Sequence, residues 1–303
     1  MSADKEKRKK WKNLPLHLML VPGIILVFIY CYVPMGGLVM AFQNYKPTKG
    51  ILRSDWVGLE NFQMFLNMPN FKQVLFNTVF IATAKLVLRI VIPVAFALLV
   101  NELRNLKYTR VVQTVVYLPN FLSWVILGGI FITVLSPSTG MVNMFLKAVG
   151  LDSVYFLGDV KVFPWTVIVT NVWKHFGYDS IVYTAAIMGV DTALYEAVAI
   201  DGGGKWKQLV HVTLPGIAPI IFVMAVLSLG NVLNAGFDQV LNMYSPQVYE
   251  TGDILDTLVY RLGLEQAQYS LSTAVGLFKS AISLTLISFS YWLACRYGDY
   301  QIF

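Results

Sequence analysis

The side chains best suited to chemistry are scattered along this chain. Its histidines, His17, His175 and His211, fall on different segments, and neither a His-Glu-x-x-His zinc helix nor a Gly-x-x-x-x-Gly-Lys-Ser/Thr phosphate loop occurs. Gly202-Gly203-Gly204-Lys205 lacks that spacing and the following hydroxyl, so it reads as a helix stop. No catalytic residue, metal site or resident cofactor is therefore expected, and any ATP used must be hydrolysed by another chain. What the spacing offers is docking chemistry, in the polar stretch Asp191 to Pro215, DTALYEAVAIDGGGKWKQLVHVTLP. Leu194, Ala197 and Val198 recur at i, i+3 and i+4 and make one narrow apolar face, with Tyr195, Glu196 and Lys205 elsewhere on the surface. Such a face wants a partner's groove. Asp191 is a good N-cap, because its carboxylate can accept from the free N–H groups of the first turn. Gly202 and its neighbours end the helix. A second short helix, Lys205 to Val212, would then lead to Pro215 in the first turn of the next membrane helix.

Polar residues within membrane segments are costly and are functional candidates by default. The fourth apolar segment carries Asn171, Trp173, Lys174, His175, Gly177, Tyr178 and Asp179, and the fifth carries Ser228, Asn231, Asn234, Asp238 and Gln239. A sugar site needs aromatic faces for the apolar side of the ring and amides or hydroxyls for its hydroxyl groups, with little net charge. Tyr178, Trp173, Ser228, Asn231 and Asn234 fit, with Gly177 beside the aromatic pair. Ser228, Asn231 and Asn234, spaced by three, would form one helical stripe. The competing use of such groups is hydrogen bonding between helices. Lys85 and Arg89, one turn apart, read as structural, snorkelling or paired with an acid. Lys174 and His175 could pair with Asp179 or with a partner subunit, and Lys279 is open.

The elements that must hold these groups are membrane helices. Hydrophobic residues make up 56% of the chain and charged ones 13%, with a mean hydropathy of +0.61; a soluble domain carries about a quarter charged residues. The apolar segments are Leu18 to Phe42, Val74 to Val100, Val111 to Leu135, Phe163 to Ile187, Ile217 to Leu241 and Ser272 to Trp292, which predicts an all-α, polytopic bundle of six spans. The net charge of +6 owes much to Lys5, Lys7, Arg8, Lys9, Lys10 and Lys12 before the first span. With Trp11 these residues suit a membrane-surface anchor on anionic lipid rather than nucleic acid. Cys31 and Cys295 lie in apolar segments without metal spacing. Lys and Arg concentrate on the side holding the N-terminus, the Arg104 turn, the Glu196 stretch and the tail, which predicts that both termini are cytoplasmic. Pro93 and Pro119 are expected to kink their helices. The resulting division is a basic anchor over residues 1–16, a six-span domain over 17–295 with its main cytoplasmic loop at 191–215, and a tail over 296–303.

Glu196-Ala197-Val198, then Gly202, then Val212-Thr213-Leu214-Pro215 resembles the cytoplasmic "EAA" motif of permease subunits in binding-protein-dependent ABC importers, with Val198 and Val212 as conservative departures. Pro34, Gly37, Ala41-Phe42, Tyr45, Trp56 to Leu59 and Asn61-Phe62 are similar to the LplB-like oligosaccharide and polysaccharide branch of the MalF-type sugar permeases. Asn77-Thr78, Asn101-Glu102-Leu103, Leu118-Pro119, Phe121 to Trp124 and Gly140 to Asn143 extend the likeness along the whole chain. The resemblance implies a type I ABC importer permease fold with an EAA coupling helix. It implies a bacterial cell membrane location and partners: a second homologous permease, two cytoplasmic ATPase subunits that bind ATP and Mg, and an external substrate-binding protein. It assigns ATPase coupling to Leu194, Tyr195, Glu196, Ala197, Val198, Asp201, Gly202, Leu214 and Pro215, with Glu196 bracing the loop, and an oligosaccharide path to the aromatic and Ser/Asn residues above. The alternatives are a non-sugar solute, a secondary transporter, which would call for paired intramembrane acids and inverted repeats, and a membrane enzyme, which would call for clustered His, Asp or Cys.

Overall fold

The computed structural model describes residues 14–103, 105–230 and 232–297, so most of the basic anchor, Arg104, Asn231 and residues 298–303 lie outside the described residues. In chain order the elements are α1 (Leu14–Val27), which continues as a π-helix (Phe28–Tyr32) and a 3-10 helix (Val33–Phe42), β1 (Gln43–Asn44), β2 (Asp55–Trp56), α2 (Glu60–Leu66) and α3 (Phe71–Asn101). Next come α4 (Leu106–Tyr117), α5 (Trp124–Val134), α6 (Met141–Ala148), α7 (Phe163–Met188) and α8 (Thr192–Ile200). The chain closes with α9 (Lys205–Gln208), α10 (Leu214–Leu229), α11 (Phe237–Met243), α12 (Tyr249–Gly252), α13 (Leu255–Tyr260) and α14 (Tyr269–Tyr297).

Among the described residues four runs are long and apolar enough to cross a membrane: His17–Phe42, Phe71–Asn101, Lys205–Leu229 and Tyr269–Trp292. Two bent pairs, Leu106–Phe121 with Trp124–Val134 at 104° and Phe163–Met188 with Thr192–Ile200 at 67°, bring the number to six. The fourth span is α7 itself. Its 26 residues reach about 39 Å at 1.5 Å per residue, more than the hydrocarbon core needs; its polar row lowers its hydropathy, not its reach.

Two expected spans are corrected. The third is not a single helix: Pro119 begins a 3-10 turn (Leu118–Phe121), Leu122 is extended, and Ser123 caps α5 by accepting from Ile126 N–H at 3.3 Å. A proline without a donor, followed by a good N-cap, ends one helix and starts another. Pro93, by contrast, lies inside an unbroken α3. The fifth span is displaced toward the N-terminus, running from Lys205 to Leu229, so the separate short helix expected over Lys205 to Val212 is its leading end. Gly236 then adopts a left-handed φ of 91° before α11.

By contacts the chain forms two units. One comprises residues up to Phe65 together with Leu262–Leu277. In it β1 and β2 pair antiparallel, Gln43 with Trp56 and Asn44 with Asp55, a feature the all-α expectation did not include. Buried Asn61 fastens this ribbon by donating to Ala41 O at 2.9 Å and Gln43 O at 3.0 Å. Phe42 stacks on Trp56 with ring centres 5.7 Å apart and leans on Phe62 at 5.4 Å. Lys49 bridges Asp55 at 2.9 Å and, by that hydrogen bond, holds its carboxyl below the usual carboxylate range.

The second unit, described within 66–261 and 278–297, contains α3, α7 and α10. Ile81 and Ala82 of α3 join Phe163, Val167 and Ile168 of α7 and Ala235, Val240, Val248 and Ile254 in one core cluster. Val94 and Ala97 of α3 join Tyr183 and Ile187 of α7 and Ile217 of α10 in a second. Small residues at these crossings let membrane helices approach closely. The polar cavity described below lies within this unit.

Candidate functional site

The cavity holds about 710 Å³ and is walled by α3, α7, α10, α11 and the start of α5. From α7 come Asn171, His175, Asp179 and Tyr183, and from α3 Ala82, Lys85, Leu86, Arg89 and Ile90. Both sets obey helical periodicity: residues four apart lie one above another on a single face. Thus α7 presents an amide, an imidazole, a carboxylate and a phenol in one column, and α3 presents two cations. Ser228, Asn234, Gly236, Asp238 and Gln239 complete the polar wall, with Trp124 as an aromatic face.

Direct bonds fix this wall. Arg89 grips Asp179 through Nε–Oδ2 at 2.7 Å and Nη2–Oδ1 at 2.9 Å. Lys85 donates to Ala235 O at 2.6 Å and to Gln239 Oε1 at 2.7 Å. Gln239 is held from behind, its Nε2 donating to Val167 O at 2.7 Å and Thr170 Oγ1 at 2.8 Å, while Asn171 donates to its Oε1 at 3.1 Å. In this way Lys85 ties both α11 and the irregular segment before it to α3, and Asn171 ties α11 to α7. At the break between α4 and α5, Lys174 donates to Leu122 O at 2.7 Å and lies over the Trp124 ring, and His175 Nδ1 lies 2.8 Å from Asn120 Oδ1. Buried polar groups are thereby satisfied, as an interior without water requires.

Several expected placements change. Ser228 and Asn234 do line the cavity, but not as a helical stripe: α10 stops at Leu229 and Asn234 lies in the segment before α11. Asn231 lies outside the described residues. Trp173, Gly177 and Tyr178 are not in the cavity wall, because their positions on α7 turn them away from the Asn171–His175–Asp179 column. Trp173 meets Phe131 edge-on at 5.6 Å and Tyr178 meets Phe121 at 6.2 Å. A Cβ on Gly177 would come within 2.5 Å of the Val116 carbonyl oxygen, so this glycine is a helix-crossing residue. Lys174 and His175 pair with Leu122 and Asn120 rather than with Asp179, which Arg89 occupies. Lys279, left open by the sequence, pairs with Asp256 at 2.5 Å. The residues passed over, Lys85, Arg89, Asn171, His175 and Asp179, carried a signal: polar side chains repeating every four residues.

The second site is the loop after α7. Asp191 caps α8, accepting from Ala193 N–H at 2.9 Å, and Gly202 follows with φ 73°, a backbone angle glycine takes without strain. The loop is braced by Tyr195, whose hydroxyl shares a hydrogen bond with Thr213 Oγ1 at 3.0 Å and whose carbonyl accepts from Gln208 at 3.1 Å. The Glu196 side chain is exposed and has no hydrogen bond or ion pair with the described residues, so the bracing expected of it is not seen among them. Leu194 is 52% exposed and Ile200 86%. Ala197 and Asp201 are also exposed, and Val198 is half-buried. Leu214 and Pro215 open α10. The loop thus presents a capped helix on which Leu194 and Ile200 are left exposed among the described residues, while Val198 is partly covered. Among the described residues no group of three His, Cys, Asp or Glu could hold a metal ion.

Comparison with known proteins places this geometry. Residues 89–297 match the family described as the binding-protein-dependent transport system inner membrane component. The chain is 38% identical, over 99% of its length and 95% of the relative's, to the polygalacturonan/rhamnogalacturonan transport system permease protein YteP of Bacillus subtilis (strain 168). It is 37% identical to protein LplB of the same organism, covering 98% and 92%. A chain in the crystal structure of a bacterial alginate ABC transporter, in complex with an alginate pentasaccharide-bound periplasmic protein, superposes with a TM-score of 0.88 at 38% identity, covering 97% of this chain and 99% of that one.

Proposed function

The chain belongs to the family of binding-protein-dependent transport inner membrane components, and from that premise we propose that it is the permease subunit of an ATP-driven importer of oligosaccharides. It forms half of the translocation pathway, the other half coming from a second, homologous permease. Two cytoplasmic ATPase subunits bind ATP and Mg²⁺, and an external binding protein delivers the glycan. The complex sits in the bacterial cell membrane with both termini of this chain cytoplasmic.

The observation that carries this reading is the α8 module. It is capped by Asp191, braced by Tyr195, Gln208 and Thr213, and leaves Leu194 and Ile200 exposed. A short rigid helix between two spans, with uncovered Leu194 and Ile200, fits a groove on a soluble partner. Bracing at both ends lets it transmit a push to α7 and α10 as a rigid body, the kind of shear or hinge movement that opens one side of a transporter and closes the other. The cavity between α3, α7 and α10 supplies the other requirement, a polar, partly aromatic chamber at membrane depth. The glycans named for relatives support a carbohydrate substrate.

Gentle detergent purification of the tagged chain from its host, with mass spectrometry of the associated proteins, tests the reading. Recovery of a second permease and an ATPase is the expected result. Recovery of the chain alone, active in liposomes without ATP, would replace the importer with a secondary transporter.

A further inference from the structure

Between the third and fourth spans lies a helix with its polar side inward and its apolar side outward. The polar side of α6 is Asn143, which is buried. Its amide donates to Leu135 O at 3.3 Å, Ser136 O at 3.0 Å and Val154 O at 2.9 Å, and its oxygen accepts from Val154 N–H at 2.8 Å. The opposite side is bare. Met141 is 73% exposed and Phe145 68%, and Met144, Ala148 and Val149 are exposed with them. These five residues recur at i, i+3, i+4, i+7 and i+8, which is one helical face. Lys147 stands exposed at its flank.

A contiguous exposed apolar face marks a surface that meets a membrane or another protein. Here the depth of the helix decides between them. Leu135 and Ser136, which hold Asn143, directly follow α5, and α5 ends at Val134. Gly140 fits the intervening turn so closely that a Cβ would come within 2.5 Å of the carbonyl oxygens of Val134 and Ser136. The first turn of α6 is therefore fastened where α5, the second arm of a bent span, comes to its end. Val125, Ile126, Ile130 and Ile132 are exposed along α5, so apolar exposure runs from the span into α6. A protein interface carries about one hydrogen bond per 100–200 Å², whereas the α6 face offers only thioether, phenyl and alkyl groups. Methionine side chains adapt to a soft, irregular neighbour.

We propose that α6 is an interfacial helix seated on phospholipid. Its Met141, Met144 and Phe145 face lies among acyl chains just below the headgroups, and Lys147 reaches the phosphates. On the topology given above this is the external leaflet. Through Asn143 the seated helix sets the depth of the outer end of α5, whose first residue, Trp124, lines the cavity.

The test uses the assembled complex in nanodiscs of phosphatidylethanolamine and phosphatidylglycerol. Cys31 and Cys295 are replaced by serine, and a nitroxide is attached at Met144→Cys, Phe145→Cys or Lys147→Cys. Collision of the label with oxygen, which concentrates among acyl chains, is compared with collision with a water-soluble nickel chelate. The expected result is an oxygen-to-nickel ratio at Met144→Cys and Phe145→Cys well above that of free label in buffer, with a lower ratio at Lys147→Cys, nearer the headgroups. Adding the binding protein should leave all three ratios unchanged. A ratio at Met144→Cys and Phe145→Cys equal to that in buffer would place the face in water and overturn the proposal. Low collision with both reagents would overturn it as well, because a second permease would then cover the face, and a fall in both on adding the binding protein would give the face to that partner. If either variant does not assemble, Met141→Cys on the same face reads the same depth.

Discussion

Arg89 of α3 and Asp179 of α7 face each other as a two-pronged ion pair on the cavity wall, 2.7 Å through Nε and 2.9 Å through Nη2. The pair joins the two helices that share the most extensive core of the second unit, and it does so beside the chamber rather than at a lipid face. Both partners are part-exposed to that chamber, so their attraction is moderated compared with a fully buried pair.

A double-mutant cycle on this pair should reveal it. Arg89→Met and Asp179→Asn are each expected to destabilise the complex in detergent. The double variant should lose less than the sum, with a coupling of roughly 0.5–3 kcal/mol, read from thermal unfolding. Additive losses would show that the two charges do not interact in the assembled protein.

Gly177 should tolerate no side chain. Because a Cβ there would meet Val116 Cγ1 and its carbonyl oxygen at 2.5 Å, Gly177→Ala forces α7 away from α4, at a cost of about 1–3 kcal/mol typical of overpacking. Tyr178→Phe, next to it on a different face, should leave stability within roughly 0.5 kcal/mol. Equal thermal midpoints for Gly177→Ala and the unaltered protein would remove the close crossing.

The α8 loop offers a split between rigidity and docking. Asp191→Ala removes the cap and should cost about 0.5–2 kcal/mol locally, seen as faster hydrogen exchange at the first amides of α8, including that of Ala193. Tyr195→Phe, which loses the bond to Thr213, should loosen the far end of the loop by about 1 kcal/mol. Unchanged exchange in both variants would mean that the loop is held by something else.

Glu196 should behave in the opposite way. Having no partner within the described residues, Glu196→Arg is expected to leave the permease's unfolding midpoint unchanged, within roughly 0.5 kcal/mol of stability. Its effect should fall on substrate-stimulated ATP hydrolysis by the assembled complex, which should drop while the subunits still copurify. Full stimulated turnover in this variant would exclude Glu196 from the docking surface.

Much of this was legible in the sequence, and the failures have physical causes. Hydropathy located the first, second, fourth and sixth runs and set the fifth too far along the chain, while the Asp191 cap and the Gly202 turn followed from side-chain chemistry alone. The periodicity argument failed where the helix itself failed. Ser228, Asn231 and Asn234 make a stripe only if α10 continues past Leu229, and it ends there. Pro119 signalled a kink, but a proline and a Ser123 cap in succession make a full break. The aromatic residues Trp173 and Tyr178 drew attention as sugar platforms, whereas the cavity uses the plainer column of Asn171, His175 and Asp179. Which of two polar rows on one helix faces inward depends on its neighbours, and a single sequence does not show them. The hairpin of Gln43–Asn44 with Asp55–Trp56 is too short to leave a period-two signal.

The most direct measurement is uptake of radiolabelled oligosaccharide into proteoliposomes that carry the purified complex, with binding protein outside and ATP inside. Accumulation that requires ATP hydrolysis, and that Ser228→Ala or Asn234→Ala alters without loss of assembly, is the predicted result. Accumulation without ATP, or none of any glycan by a complex whose ATPase responds to its binding protein, would contradict it.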